Sequence, residues 1–428
     1  MFTALCASCF NPGGTSSSGT SGGPDDPTTG DAPTSTTASS ASSTTTASTT
    51  AAETGTTDPR PTTGCASDCA TTGASLDDTG GSSDDVTTAD PADPVKLEAK
   101  VMLAGASALV AGPFDPDPRT DLFVTSVAGT LTLFRGGSLM TAEYGVMNPA
   151  AALVAINFAT MSPDMDDDLV LAAYNMNLTS YRIDDGAPQF ASQIGALCGD
   201  PYLALGAVVS DSIPDVVLVC PGTTSINIFA GGFDGSFNSP AVFPIDGPAA
   251  GLAVANIVGS TRADVLIPTG DDLLVYRNTD IDMAPILLDP LDQHSLPGAS
   301  HAAAERPKGA EFYDALALQP PVDCAYFASS PNNVPAPLEF QCGKNLTTGG
   351  LADLDDDGDL DVVTTSQGNG AGIIDLWLRD NDGFTLLASL PIGDAPRRLA
   401  FADLVGDDRI DIAVITEDAV EVFRNELP

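Results

Sequence analysis

Residues 353–361 read DLDDDGDLD, inside the longer stretch GGLADLDDDGDLDVVTTSQ (349–367). Asp353, Asp355, Asp357 and Asp361 fall at positions 1, 3, 5 and 9 of this run, Asp359 adds a further carboxylate, and Gly358 stands at the turn. Oxygen ligands at alternate positions, with a glycine where the backbone must turn sharply, suit a hard cation such as calcium. An EF-hand also starts this way, but it needs a bidentate glutamate at position 12 and a helix on either side. Position 12 from Asp353 is Thr364, and DVVTTS is a β-rich sequence, so the EF-hand reading fails. The loop runs into a strand.

Asp361 is one of a series. An aspartate precedes an apolar strand at Asp121 (DLFVTS), Asp168 (DLVLAA), Asp215 (DVVLVC), Asp264 (DVLIPT), Asp314 (DALALQ), Asp361 (DVVTTS) and Asp411 (DIAVIT), at intervals of 47 to 50 residues. A proline or glycine corner and a strand of small residues travel with it, as in LPIGDAPRRLAFADL (390–404), FPIDGPAAGLAVANI (243–257) and CGDPYLALGAV (198–208). The unit at Asp314 matches least well. An insertion around 281–310 and a Pro/Asn-rich stretch near 331–337 set it apart. After each anchored strand come a second apolar strand (LTLFRG, LLVYRN, VEVFRN) and an outer strand (FTLLASLPIG). Four strands in a repeat of roughly 40–50 residues mark a β-propeller blade. The expected fold is all-β, a seven-bladed propeller over 94–428. The last unit stops after its third strand, and KLEAKVMLAG (96–105) matches the missing outer strand. Its return to the last blade closes the ring and removes an exposed edge.

An anchored loop of this kind, closing on an acidic residue at position 9 and entering a strand, resembles the FG-GAP/VCBS repeats of the integrin α-chain head and of many bacterial surface proteins. The residues that carry the resemblance are Asp353, Asp355, Asp357, Gly358 and Asp361. It implies a seven-bladed propeller with calcium held in loops between the first two strands of some blades. The other loops depart from the pattern to different degrees. PFDPDPRTD keeps Asp115, Asp117 and Asp121 but has Pro113 at position 1. DLVGDDRID keeps Asp403, Asp407 and Asp411, with Val405 at position 3 and Asp408 replacing the glycine. The second loop offers Thr160, Ser162, Asp164 and Asp168, and Asp264 is preceded by Asn256, Val258 and Ser260. The anchor aspartate persists where the other ligands are lost. Its carboxylate is therefore read as a turn former that accepts backbone N–H bonds, with calcium an added staple in the acidic loops.

Composition sets the outer limits. The chain of 428 residues has 16 Lys+Arg against 58 Asp+Glu, a net charge of −42 and a pI near 4.1. Such a surface repels a phosphate backbone, which excludes ordinary nucleic-acid binding. No run of about 18 apolar residues is present, so no transmembrane helix is expected. Aromatics are 6% while Gly (41) and Pro (33) are plentiful, in keeping with turn-rich β structure. The eight cysteines form four sequence-near pairs, and with two histidines they make a poor zinc set. Disulfides Cys198–Cys220 and Cys324–Cys342 are the natural pairing and place the domain in an oxidising compartment, the alternative being buried free thiols.

The N-terminal part is read differently. Residues 1–10 look like the end of a signal segment, and Cys9 after Ala7-Ser8 resembles the close of a bacterial lipobox, the alternative being a plain secretory remnant. Residues 11–93 are Thr/Ser/Gly-rich with almost no large apolar side chains, and are expected to form a disordered tether interrupted by a small loop between Cys65 and Cys69. The domain is expected outside the cytoplasm, secreted or lipid-anchored at a bacterial surface, as a monomer that meets a membrane through its anchor alone.

The catalytic inventory is thin. His294 and His301 both lie in the 281–310 stretch and are read as solvated; there is no phosphate-cradling glycine loop with its lysine. Trp377 is read as a packed strand residue. Two function classes stay open. One is a calcium-binding, non-enzymatic adhesion or binding propeller whose extracellular ligand is a carbohydrate or protein. The other is an extracytoplasmic carbohydrate-active lyase or hydrolase, which a cluster of Arg, Tyr and carboxylates on one propeller face would favour. The sparse histidines favour the first.

Overall fold

The computed structural model describes residues 94–427, apart from 118, 146–149, 157–167, 174–175, 196–197, 199, 210–212, 233, 260–261, 279–287, 332, 369–370 and 381–382. The expectations for 1–93, among them the Cys9 anchor, the linker and the Cys65/Cys69 loop, fall outside these residues, as do Thr160, Ser162, Asp164 and Ser260.

The described strands pair into seven four-stranded antiparallel sheets. β1 (Val95–Met102) opens the domain but belongs to the last sheet. The first sheet holds β2 (Ala106–Gly112), β3 (Asp121–Ser126), β4 (Thr130–Phe134) and β5 (Thr141–Gly145). The second holds β6 (Ala150–Ile156), β7 (Asp168–Ala173), β8 (Asn177–Asp184) and β9 (Ala187–Gly195). The third holds β10 (Tyr202–Gly206), β11 (Asp215–Val219), β12 (Ser225–Phe229) and β13 (Ala241–Pro244). The fourth holds β14 (Ala253–Ala255), β15 (Asp264–Pro268), β16 (Asp272–Asn278) and β17 (Leu288–Ser295). The fifth holds β18 (His301–Glu305), β19 (Asp314–Gln319), β20 (Asp323–Phe327) and β21 (Leu338–Gln341). The sixth holds β22 (Leu346–Ala352), β23 (Asp361–Gln367), β24 (Gly372–Asp380) and β25 (Gly383–Ile392). The last holds β26 (Arg398–Ala402), β27 (Asp411–Ile415) and β28 (Ala419–Asn425), completed by β1 against β28.

Each anchor aspartate is the first residue of the second strand of its sheet. The innermost strands touch in the cyclic order β2, β6, β10, β14, β18, β22, β26 and back to β2. The fold is a β-propeller. Its side-chain patterns follow from that arrangement. Second strands such as DLFVTS and DALALQ are buried along their whole length, because a neighbouring sheet covers each face. Outer strands such as β5 and β13 alternate between half-buried and exposed, because solvent lies on one side. Hydrophobic clusters sit between consecutive sheets. The one built from Ala400, Ala402, Ala413 and Ile415 packs on Leu109, Leu122 and Val124, joining the last sheet to the first. Every fully buried Leu, Val or Phe in these seams contributes roughly 1.5–3 kcal/mol.

Disulfides link Cys198 to Cys220 and Cys324 to Cys342, with Cα atoms 6.0 and 5.7 Å apart. The first ties the lead-in of β10 to the end of β11, and the second ties β20 to the residue after β21.

One expectation needs correction. The stretch around 281–310 is not an irregular insertion where it is described: it contains β17 and β18. Pro290 obscured β17 in the sequence. It sits in an outermost strand, beside a register shift at Val275/Tyr276, where the missing N–H is tolerated. The small residues of His301-Ala302-Ala303-Ala304 form an innermost strand for the same reason that AVA and GGLA do, namely crowding near the axis of the ring.

Candidate cation-binding loop

Where its side chain is described, the anchor carboxylate is buried; Asp121, Asp215, Asp264 and Asp411 are 0% exposed, Asp361 is 1% exposed and Asp314 is 3% exposed. A buried carboxylate has to be hydrogen-bonded, and the repeat supplies the same donors each time. Asp361 Oδ2 accepts the Leu354 N–H (2.8 Å) and Oδ1 accepts the Arg379 N–H (2.9 Å). Asp411 accepts from Leu404 (2.9 Å), Val405 (3.0 Å) and Asn425 (3.0 Å). Asp264 accepts from Ile257 (3.1 Å), Val258 (3.0 Å) and Asn278 (3.0 Å). Asp121 and Asp215 follow suit, with Phe114 and Gly136, and with Val208, Val209 and Gly231. One oxygen closes the loop between the first two strands and the other grips the third strand's end. Asp314 keeps the third-strand grip through the Ser329 N–H (2.6 Å), but its other oxygen takes the Tyr326 hydroxyl in place of a loop N–H. Asn278 and Asn425, at the ends of third strands, also donate across to the preceding sheet, to Val208 O (2.7 Å) and Leu354 O (2.6 Å).

Three acidic loops can be compared in their local chemistry. In the first, Asp115 is paired with Arg135, Asp115 Oδ1 accepts the Asp117 N–H, and Asp117 accepts the Arg119 N–H. Asp115, Asp117 and Asp121 do not form a close carboxylate set among the described residues. In the last loop Asp403, Asp407 and Asp411 do converge, with an oxygen of each within 4.8 Å of the others. That set is already engaged. Asp403 accepts N–H bonds from Gly406, Asp407 and Asp408, and Asp407 holds Arg424 at 2.9 Å. Asp408 takes a positive φ of 65°, doing with strain what Gly358 (φ 97°) does freely in the sixth loop.

In the sixth loop Asp353, Asp355 and Asp361 converge to the same 4.8 Å limit. Asp353 Oδ1 is buried and has no hydrogen-bond partner among the described residues. Burial, reinforced by the neighbouring carboxylates, raises the pKa of both Asp353 and Asp355. Burial pushes Asp361 up to about 7, against the bonds from Arg379 and Leu354 that favour its anion. Asp357 and Asp359 stand outside the convergent set. Asp357 accepts the Asp359 N–H (2.9 Å), and Asp359 lies 3.8 Å from Arg379. A dense group of desolvated carboxylates, one oxygen orphaned, fits a hard divalent cation by its donor chemistry. One of the chain's own cations approaches it: Lys308, in the loop between β18 and β19, reaches Asp356 at 2.5 Å and its charge couples to Asp353.

Reading residues in sequence missed Arg135, Arg424 and Lys308 as counter-ions. A signal for the arginines was present in the runs LFRG, YRN and FRN, where arginine recurs at the end of the third strand. Lys308 had no such signal. His301 was misread as solvated: on the innermost strand β18, its Nε2 lies 3.0 Å from Gly349 O. His294 is on β17, edge-on to Phe327 with ring centroids 5.0 Å apart. Trp377 is a packed residue, its indole N–H donating to Thr364 Oγ1 at 3.3 Å.

No family model and no curated protein matches the chain. Among solved structures, the crystal structure of BBS1N in complex with ARL6DN, soaked with lead, superposes with a TM-score of 0.55 at 12% identity, covering 78% of this chain and 97% of that one. The same complex soaked with mercury gives 0.52 at 13% identity, covering 77% and 97%. At such identities the likeness concerns the fold alone, a β-propeller.

Proposed function

We propose that this domain is a calcium-stabilised, non-enzymatic binding propeller of the FG-GAP/VCBS kind, its seven sheets serving as the blades of one ring. The observation that carries the cation is the orphaned, buried Asp353 Oδ1 among three converging carboxylates. Asp353, Asp355 and Asp361 would hold the ion, and its charge would offset their mutual repulsion; Asp357 and Asp359 lie beside it. The first and last loops use Arg135 and Arg424 in the same electrostatic role, so a single cation in the sixth loop is the expected stoichiometry. Binding, as opposed to catalysis, is supported by the scaffold: BBS1N is found in complex with ARL6DN, and we carry over to this chain the class of partner, a protein, and nothing narrower. Two disulfides support an extracytoplasmic location, where the Thr/Ser/Gly-rich segment would tether the domain from Cys9.

The test is calorimetry and thermal melting of the full chain with calcium and with chelator. Excess calcium should raise the melting temperature, chelator should reverse the rise, and titration should return about one site per chain. An unchanged melting temperature with no binding heat sinks the cation reading.

A further inference from the structure

The innermost strands bring three large polar side chains to one level of the ring. Pairing register defines that level. Tyr202 pairs with Val219, His301 with Leu318 and Arg398 with Ile415. Each partner stands four residues after its anchor aspartate, Asp215, Asp314 or Asp411, so the three occupy equivalent positions in the third, fifth and seventh sheets. The corresponding positions in the first, second and sixth sheets are Ala108, Ala152 and Thr348, paired with Thr125, Ala172 and Thr365. Small residues at those positions leave the centre to the large ones.

The three side chains are close enough to influence one another electrostatically. The Arg398 charge acts on the His301 ring, two sheets away, and on the Tyr202 hydroxyl, across the ring. His301 is kept neutral, its pKa pushed down to about 4 by burial first and by Arg398 second. At neutral pH its Nε2–H therefore donates to Gly349 O, and it presents no charge to compete with Arg398. Arg398 has no ion-pair partner among the described residues; Nη1 meets only Arg397 O, at 3.4 Å. Glu417 is the partner of the adjacent Arg397, at 3.7 Å. The Tyr202 hydroxyl likewise has no hydrogen-bond partner among the described residues. In a chain with 58 acidic and 16 basic side chains, a guanidinium left without a carboxylate is conspicuous. Together with the Tyr202 hydroxyl across the ring, whose other charged neighbour is Asp200, it offers a carboxylate planar paired N–H donors plus one O–H donor.

We propose that Tyr202, His301 and Arg398 form a binding site for a small carboxylate at the centre of the ring, with Arg398 pairing the anion, Tyr202 donating a further bond and His301 forming a neutral wall. The site gives the binding reading above a ligand class; it rests on that reading, and it does not depend on the cation.

The chain has 2 histidines, so long-range proton–nitrogen NMR spectra of the imidazoles resolve the question directly. Sodium acetate is titrated at fixed calcium, with sodium chloride at matched ionic strength as the control arm. The His301 signals should move saturably with acetate while those of His294, on an outermost strand, stay in place as proof of an intact fold. Arg398→Gln should weaken acetate binding by about tenfold or more, the loss of a charge-assisted hydrogen bond, and Tyr202→Phe by several-fold. No shift of His301, a shift reproduced by chloride, or an acetate response that survives in Arg398→Gln overturns the proposal. A calcium-dependent melting shift alongside a failed acetate titration sinks this site alone; acetate binding without any calcium effect sinks the cation alone.

Discussion

Asp353→Asn separates a structural carboxylate from a metal ligand, because the two roles predict opposite signs in two buffers. Without a cation, Asp353, Asp355 and Asp361 hold carboxylate oxygens within 4.8 Å of one another. At that separation each charged pair repels by about 0.9 kcal/mol at the dielectric constant of water, and more where solvent is partly excluded. The amide keeps the side chain's shape and removes the charge. It weakens the bond from the Gly358 N–H, which favours the anion, and that loss offsets about half of the gain. The net expectation in chelator is a variant more stable than the parent by about 1 kcal/mol. In calcium at about a hundred times the dissociation constant, the parent gains about 2.7 kcal/mol that the variant largely forgoes, so the order reverses. Urea denaturation followed by the fluorescence of the single tryptophan reads both conditions, since Trp377 lies in the same sheet as the loop. A variant that is destabilised equally in chelator and calcium refutes the reasoning, for Asp353 would then be a turn former like the anchors.

Other expectations follow from the same structure. Asp264→Ala strands the buried N–H groups of Ile257, Val258 and Asn278 and should cost about 3 kcal/mol or more in urea denaturation, independent of calcium; a loss below about 1 kcal/mol would contradict the anchor role. Replacing Cys324 and Cys342 together by alanine opens a loop with a sequence separation of 18 and should lower stability by about 3 kcal/mol, whereas reductant should no longer affect that bridge's contribution in the variant. Glu305, pushed up to about 7 by burial, holds its proton better folded than unfolded. Its contribution is therefore present below about pH 4.5 and lost as pH rises through about 7, a swing of about 3 kcal/mol at most. Glu305→Gln should flatten that part of the stability–pH profile and make the variant the more stable protein at pH 8; an unchanged profile would show Glu305 to be ionised at no cost.

The repeat was legible because a propeller reuses one solution to one problem. Each Asp-plus-strand unit needs an acceptor for the same backbone N–H groups, so Asp121, Asp215, Asp264, Asp361 and Asp411 recur with the strands they close. Strand character was equally open to reading, since second strands covered on both faces must be continuously apolar. The unit at Asp314 was harder. Its loop-side oxygen is met by the Tyr326 hydroxyl instead of by its own loop, and the neighbouring outer strand contains Pro290. Local spacing could not reveal either substitution.

The sequence by itself determined the repeating unit, the turn at each anchor and the grouping of acids in the sixth loop, because these depend on residues a few positions apart. Only the tertiary structure decided which acids remain uncompensated. Arg135 and Arg424 reach back from the ends of third strands to the first and last loops, while Lys308 comes from another sheet, pairs with Asp356 and interacts with the Asp353 charge from a distance. The same holds at the axis, where ring closure sets Tyr202, His301 and Arg398 on one level from positions far apart in the chain. Electrostatic balance and convergence are properties of distances in space, and those distances exist only once the sheets have packed around their common centre.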